Sequence, residues 1–283
     1  MHIGIMSGHF RRPSLGESLD AILGHGIRHL QFNLGSAHLD GPPGEQDESV
    51  FAGIRDEVDR RGMTIAALGG PVNMVHPDPV KRQEGIDRME TLIGICGPLG
   101  TSAIATCTGS RHPESMWRHH PDNVTEDTWQ VLQGTLEHLL PIAESHGVAL
   151  AFEPEVNNVC NNAKRSRQLI DEMASSALKV VMDASNLFGK GELPRMTEIL
   201  DEAFELLGEH VSIAHAKDLD HDGDAGHLPA GAGKLDYERY VSLLCALPFE
   251  VSVILHGLGE DQVADSVAML DRCAATVKAR PAE

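Results

Sequence analysis

The feature that most constrains this chain is a β-rich apolar run that recurs eight times. The runs are His2–Met6, Ile27–Asn33, Met63–Leu68, Ser102–Cys107, Val148–Phe152, Lys179–Met182, Val211–Ala214 and Glu250–Leu255. Segments of helical character separate them, among them Glu48–Arg61, Pro79–Leu99, Glu126–Ser145 and Leu193–Leu207, the last with Pro194 in its first turn. Gly62, Gly100 and Gly147 stand where a helix must stop before the next strand. Asp47 and Thr125 stand at helix N-cap positions. Eight βα periods, at intervals of roughly 25–45 residues, predict a single α/β domain over residues 1–283: a (β/α)8 TIM barrel with parallel strands. The competing fold is a doubly wound open sheet. It calls for a Gly-rich phosphate turn after the first strand, and Ser7-Gly8-His9-Phe10 is not one.

The charge balance narrows the partners. Against 23 Lys and Arg stand 42 Asp and Glu, a formal net charge of −19. Such a surface repels phosphate backbones and anionic lipid heads, so neither nucleic acid nor a membrane surface is an expected partner. No apolar run approaches the ~18 residues of a membrane span, and Met1–Met6 lacks the layout of a signal peptide. The five cysteines, Cys96, Cys107, Cys160, Cys245 and Cys273, are odd in number and widely spaced. They suit neither a disulfide framework nor a zinc knuckle, and the cytoplasm is the expected compartment. Whether the chain forms a homo-oligomer is left open.

In a TIM barrel the chemistry sits where the strands end, at the C-terminal face. Strand five runs Val148-Ala149-Leu150-Ala151-Phe152 and stops on Glu153-Pro154-Glu155. Strand six stops on Asp183, strand seven on His215-Ala216-Lys217-Asp218, and strand eight on His256. One acidic residue after a strand is commonly a helix cap or a solvated loop residue. Four consecutive strands that all end on ligand-type side chains point instead to one divalent metal. A mixed carboxylate and imidazole set suits Mn²⁺, Co²⁺, Fe²⁺ or Zn²⁺ better than Ca²⁺.

These segments resemble the xylose isomerase-like barrels of the sugar phosphate isomerase/epimerase superfamily, a group that includes ketose 3-epimerases and shares its fold with endonuclease IV. The resemblance spans nearly the whole chain. It is carried by Gly62-Met63-Thr64-Ile65-Ala66-Ala67-Leu68-Gly69-Gly70, Thr106-Cys107-Thr108-Gly109, Phe152-Glu153-Pro154-Glu155, Val181-Met182-Asp183-Ala184-Ser185-Asn186-Leu187, His215-Ala216-Lys217-Asp218 and Leu228 to Asp236. The stretch from His112 to Asn123, with Trp117 and His120-Pro121-Asp122-Asn123, is similar as well. By position the resemblance implies a metal held by Glu153, Asp183, His215 and His256, with Mn²⁺ first and Co²⁺, Mg²⁺, Fe²⁺ or Zn²⁺ behind it. In relatives of the ketose 3-epimerase type the fourth ligand is Glu, and the two glutamates also form the acid/base pair; here His256 departs from that pattern. Asn186 stands where many relatives carry His. His227 matches a histidine of the endonuclease IV type, but the ends of strands three and four supply none, which sets DNA repair far behind.

The resemblance implies an isomerase or epimerase that works on a small sugar, keto-sugar or sugar acid through an enediolate. A metal-dependent lyase, decarboxylase or glycoside-cleaving enzyme using the same enolate is the alternative, and a non-catalytic metal- or sugar-binding barrel stands third. The catalytic candidates are Glu153, as ligand and base, His256 and Lys217. Lys217 follows His215 by two residues and so points to the same side of the strand. There it polarises a carbonyl or protonates an oxyanion, unless it merely pairs with Asp218 or a wall carboxylate. Candidate substrate contacts are His9, Trp117 as a roof, Asn186, His227 and Glu155, the last also as a partner that orients a ligand. Arg11-Arg12 is the only compact basic pair near the top face and reads as a solvated loop, which favours an unphosphorylated substrate. His25, His29, His119, His120, His138 and His146 read as surface residues.

Overall fold

Strand β1 (His2–Met6) is hydrogen-bonded on one side to β2 (His29–Phe32) and on the other to β8 (Ser252–Leu255), and that second pairing closes the sheet. In this computed structural model, which describes residues 1–39 and 41–279, the remaining strands are β3 (Thr64–Gly69), β4 (Ala103–Cys107), β5 (Ala149–Glu153), β6 (Leu178–Asp183) and β7 (Val211–Asp218). Each pairs in parallel with its neighbours in chain order, and β7 meets β8 to complete the ring. Closure rules out the open doubly wound sheet and gives the expected (β/α)8 barrel. The ends of the expected 1–283 span, residues 280–283, and residue 40 lie outside the described residues.

Eight α-helices wrap the barrel among the described residues: α1 (Leu15–Gly24), α2 (Glu48–Asp59), α3 (Pro79–Leu99), α4 (Glu126–His146), α5 (Ala163–Met173), α6 (Met196–Leu207), α7 (Tyr237–Cys245) and α8 (Val263–Ala279). The terminating glycines behave as expected. Gly100 and Gly147 cap α3 and α4 in the left-handed conformation, at φ 75° and 64°. The N-caps divide. The Thr125 hydroxyl accepts from the Thr128 backbone N–H, whereas the Asp47 side chain makes no cap bond. Pro194 lies in a separate 3-10 turn, Leu193–Arg195, ahead of α6, so the α-helix starts three residues later than the sequence suggests. His29 is not a surface loop residue. It opens β2, its ring stacks on His2, and its Nδ1 lies 3.0 Å from the Ser252 Oγ.

Strand parity divides the core into two layers. Residues such as Leu30, Phe32, Leu150, Phe152 and Val180 face outward and pack under the helices. The alternate residues face the barrel axis and are small: Ala67, Ala103, Ala105 and Ala151, filled out by Val181, Ile213 and Ile254. Gly4 is the tightest point of that inner layer. A Cβ there would come within 2.5 Å of Ile254 Cδ1 and 2.7 Å of the His29 carbonyl oxygen. The five cysteines are free thiols, four of them buried.

Behind the C-terminal ends of β6 and β7, the fully buried Tyr240 of α7 donates its hydroxyl to the Met182 oxygen at 2.7 Å and is 2.9 Å from the His215 oxygen. It thereby ties the helix to the two strands that carry Asp183 and His215. Tyr240→Phe is expected to destabilise the fold by roughly 1–3 kcal/mol, because it removes the hydroxyl from buried carbonyls that water cannot reach. Urea unfolding at neutral pH checks the size of the loss.

Candidate active site

The inner-layer parity decides which polar groups meet. Along β5 the axis-facing series is Ala149, Ala151 and then Glu153; β6 continues Val181 with Asp183; β7 continues Ile213 with His215 and Lys217. After β8, Ile254 is followed two residues on by His256. The apolar plug stops, and these five side chains form the floor above it. The ladder pairs Asp183 directly with His215, just beyond an irregularity between Val180 and Val181.

Around this floor the contacts are short. His215 Nδ1 lies 3.2 Å from Glu153 Oε1 and 3.8 Å from Asp183 Oδ2. The Lys217 ammonium lies 3.3 Å from Asp183 Oδ2 and 4.0 Å from Glu153 Oε1, so its partners are the wall carboxylates rather than Asp218. Asp218 is occupied by the backbone N–H groups of Leu219, Gly231 and Leu235. The Ser185 N–H and hydroxyl both donate to Asp183 Oδ1, at 3.0 and 2.7 Å. Asn186 Nδ2 donates to Glu153 Oε1 at 2.8 Å, and Asn186 Oδ1 accepts from the Gly226 N–H at 3.0 Å. Only glycine fits at 226, where a Cβ would sit 2.1 Å from the Ser185 Oγ.

The electrostatics follow from burial and pairing. Burial drives the Asp183 carboxyl upward, but Lys217, His215 and the Ser185 hydroxyl outweigh it and hold the group below the usual carboxylate range. Burial likewise works against the Lys217 charge, and the attraction of Asp183 and Glu153 overrides it, raising the lysine. His256 moves well below the ordinary imidazole value, through burial first and then through Lys217 and His215. It therefore presents a neutral ring with a lone pair.

Two buried polar atoms at this floor make no hydrogen bond: Asp183 Oδ2, which has the Lys217 ion pair at 3.3 Å, and His256 Nδ1. Asp183, His215 and His256 each offer one ligand atom within 4.8 Å of the others. Buried groups without hydrogen bonds are costly, and here they belong to residues whose ligand atoms lie close enough to share one cation. The donor set of one or two carboxylates and two imidazoles fits a divalent transition ion.

The other expected site residues are placed as follows. His9, in a 3-10 turn after β1, is half-buried, its Nε2 is unpartnered, and its ring centre is 6.2 Å from that of His256. Burial lowers its pKa. Glu155 lies outside the floor. It accepts from the Asn157 N–H at 2.9 Å and from Asn158 Nδ2 at 2.6 Å and so orders the loop after β5. Trp117, on the β4–α4 loop, is 46% exposed. The His227 side chain is 43% exposed and pairs with Asp220, away from the floor. Arg12 reaches Glu260 at 2.6 Å, which ties the β1 and β8 loops together and leaves Arg12 paired at the rim.

Sequence reasoning missed Gln31. Its Oε1 lies 2.7 Å from His215 Nε2, so it fixes the ring and leaves Nδ1 facing the carboxylates. An irregularity in the β2–β3 pairing falls between Leu30 and Gln31. The available signal was a single amide inside an otherwise apolar strand, Leu30-Gln31-Phe32. Ser185 was missed too, because it stands beside Asn186 and its role depends on a local turn.

Comparison with known proteins adds the following. The family model for the xylose isomerase-like TIM barrel matches residues 15–273. Among solved structures, an L-ribulose 3-epimerase superposes at a TM-score of 0.75 with 15% identity, covering 98% of this chain and 96% of that one. The 3-keto-D-glucoside 4-epimerase of E. coli gives 0.71 with 17% identity over 96% of this chain and 100% of the other. A probable 3-DHS dehydratase from Bacillus anthracis gives 0.73 with 12% identity over 96% and 99%. Among the described residues no helix is long and apolar enough to cross a membrane.

Burial raises the Glu155 carboxyl from 4.5 to about 7, against the Asn157 N–H bond that lowers it. The folded chain thus holds a proton that the unfolded chain has already released. This group's contribution to stability falls as pH rises from about 4.5 to about 7 and is level above, a total of about 3 kcal/mol. Urea midpoints measured across that range are expected to drop for the wild type relative to Glu155→Gln, with the gap closing at low pH. Parallel curves would show that Glu155 ionises as freely in the folded chain as in the unfolded one.

Proposed function

The chain belongs to the xylose isomerase-like TIM barrel family, and from that premise we propose that it is a divalent-metal-dependent isomerase or epimerase of a small sugar, keto-sugar or sugar acid. The observation that carries this reading is the grouping of Asp183, His215 and His256 at the C-terminal floor of the barrel, with ligand atoms within 4.8 Å of one another, an Asp183 Oδ2 that is ion-paired with Lys217 but makes no hydrogen bond, and a His256 Nδ1 without a partner. The residues proposed to hold the ion, Mn²⁺ in the first instance, are Asp183, His215, His256 and Glu153. Bound there, a divalent ion supplies Lewis-acid polarisation of a carbonyl and its neighbouring hydroxyl.

The chain's own groups supply the rest. Glu153 is the proposed base that takes the proton from the carbon bearing the hydroxyl, leaving an enediolate, and returns it to the same or the adjacent carbon. Asn186 aims that carboxylate, and Gln31 aims the ring of His215. The Lys217 ammonium, raised and therefore charged, faces the developing oxyanion. His9 stands on the β1 side of the floor, where a substrate hydroxyl would reach its free Nε2. Trp117, at the rim, is the proposed roof.

One observation favours the lyase reading as the second choice. Of the two carboxylates on the floor, Asp183 is committed to Ser185 and Lys217, so Glu153 is the single candidate base. Transfer between two faces of one carbon needs a second acid or base, whereas isomerisation on one face and elimination need only one. A dehydratase among the similar folds is in keeping with that alternative.

Incubation with a panel of ketoses and keto-sugar acids in D₂O, read by mass spectrometry, tests the proposal. The wild type is expected to incorporate solvent deuterium at one carbon, and Glu153→Gln to lose at least ~10²-fold of that rate. Removal of metal with a chelator is expected to abolish exchange, and Mn²⁺ to restore it. Unchanged exchange in Glu153→Gln would remove it as the base, and undiminished turnover of metal-free protein would end the metal mechanism.

A further inference from the structure

The loop that follows β7 carries a second group of ligand-type side chains, outside the barrel floor. Asp220, His221 and His227 each present one ligand atom, all within 4.8 Å of one another. His227 Nε2 lies 3.3 Å from Asp220 Oδ1, His221 Nδ1 touches the same oxygen, and the two rings lie 4.9 Å apart between centres. Ligand atoms around a tetrahedral ion with bonds of about 2.05 Å are separated by about 3.3 Å, so the His227–Asp220 distance is already that of a metal-site edge.

The loop backbone is built to hold this arrangement. Lys234 Nζ donates to the Asp220 oxygen at 2.6 Å, and the His227 N–H donates to the Asp218 oxygen at 2.9 Å. Gly223, at φ +86°, donates its N–H to the Phe188 oxygen at 2.9 Å. The other acidic residues of the loop are taken: Asp222 accepts from the Leu193 N–H, and Asp224 accepts from Asn157 Nδ2 and the Ala225 N–H. That leaves two imidazoles and one carboxylate, paired with one another, on an anchored backbone that has little ordering entropy left to lose.

We propose that Asp220, His221 and His227 form a rim site for a divalent transition-metal ion of the Zn²⁺ class, separate from the barrel floor. Two nitrogens and one oxygen with water completing the shell suit Zn²⁺, Co²⁺ or Ni²⁺ rather than Mg²⁺ or Ca²⁺. The ion clamps the β7–α7 loop at its solvent side. On its inner side the same loop bonds Asn186 through Gly226, and Asn186 holds Glu153, so the clamp lies a short chain of contacts from the proposed base. The rim site stands whether or not the barrel floor takes a metal.

Zn²⁺ binding by equilibrium dialysis tests it in an Asp183→Asn, His256→Ala background, where the floor is disabled. That protein is expected to bind one Zn²⁺ per chain. Adding His221→Ala is expected to weaken it at least ~10-fold, and adding His227→Ala as well to abolish it. No Zn²⁺ in the background, or binding indifferent to both histidine changes, overturns the proposal. Equal stoichiometry in the wild type and the background would count against the floor site and leave the rim site standing. Should the background fail to fold, Co²⁺ titration of the wild type followed by NMR decides: paramagnetic loss of the His221 and His227 ring signals supports the site, and their persistence overturns it.

Discussion

A closed parallel barrel admits only alternate residues to its axis, and every other feature of the site depends on that parity. The axis is narrow enough that alanine is the prevailing inner residue and Gly4 is forced by Ile254 and His29. Where the apolar inner series runs out on β5 to β8, the next inward position lies at the C-terminal mouth. Glu153, Asp183, His215 and Lys217 occupy such positions on three strands, His256 follows on a fourth, and Gln31 reaches His215 from within β2. A one-residue slip in any of these strands would turn its polar group outward beneath a helix and its bulky apolar partner into the axis.

Gathering charge at the floor of a buried barrel raises a problem of neutrality. Asp183 and Glu153 are both buried, and an uncompensated buried carboxylate costs several kcal/mol. The structure meets this with Lys217 between them and with a dedicated donor for each carboxylate, Ser185 for Asp183 and Asn186 for Glu153. Tyr240 supports the same region from behind, through the main-chain oxygens of Met182 and His215. Glu155 meets the problem differently. It lacks a lysine at contact distance, and its pKa rises to about 7.

These two facts explain what the sequence made legible. The eight strands, the helix order and the identities Glu153, Asp183, His215, Lys217 and His256 follow from short apolar runs that each stop on a polar residue. That signal is local, so it survives without knowledge of the fold. Gln31 escaped because its strand continues through Phe32, so no strand end marks it, and its partner His215 is far away in sequence. Asn186 was visible as a departure from the family pattern, but its job of aiming Glu153 depends on the turn at residues 184–186 and on Gly226. His227 was grouped with the substrate contacts because it lies close to the family's sequence pattern. The fold puts its backbone beside Asp218 and its ring outside, against Asp220 and His221.

The charge count at the floor bears on the kind of substrate the proposed enzyme would take. Glu153 and Asp183 against Lys217 leave one net negative charge, with His256 kept neutral by burial. A divalent ion held there would reverse that to one net positive charge, and transfer of the substrate proton to Glu153 would keep that sum while setting the negative enediolate against the ion and Lys217. With a glutamate in place of His256 the same sum would be one unit lower at every stage. The His256 substitution therefore does more than remove a second base. Under the proposed function, a floor one unit more positive would favour anionic states of the substrate, whether an enediolate, an enolate on the way to elimination, or the carboxylate of a sugar acid.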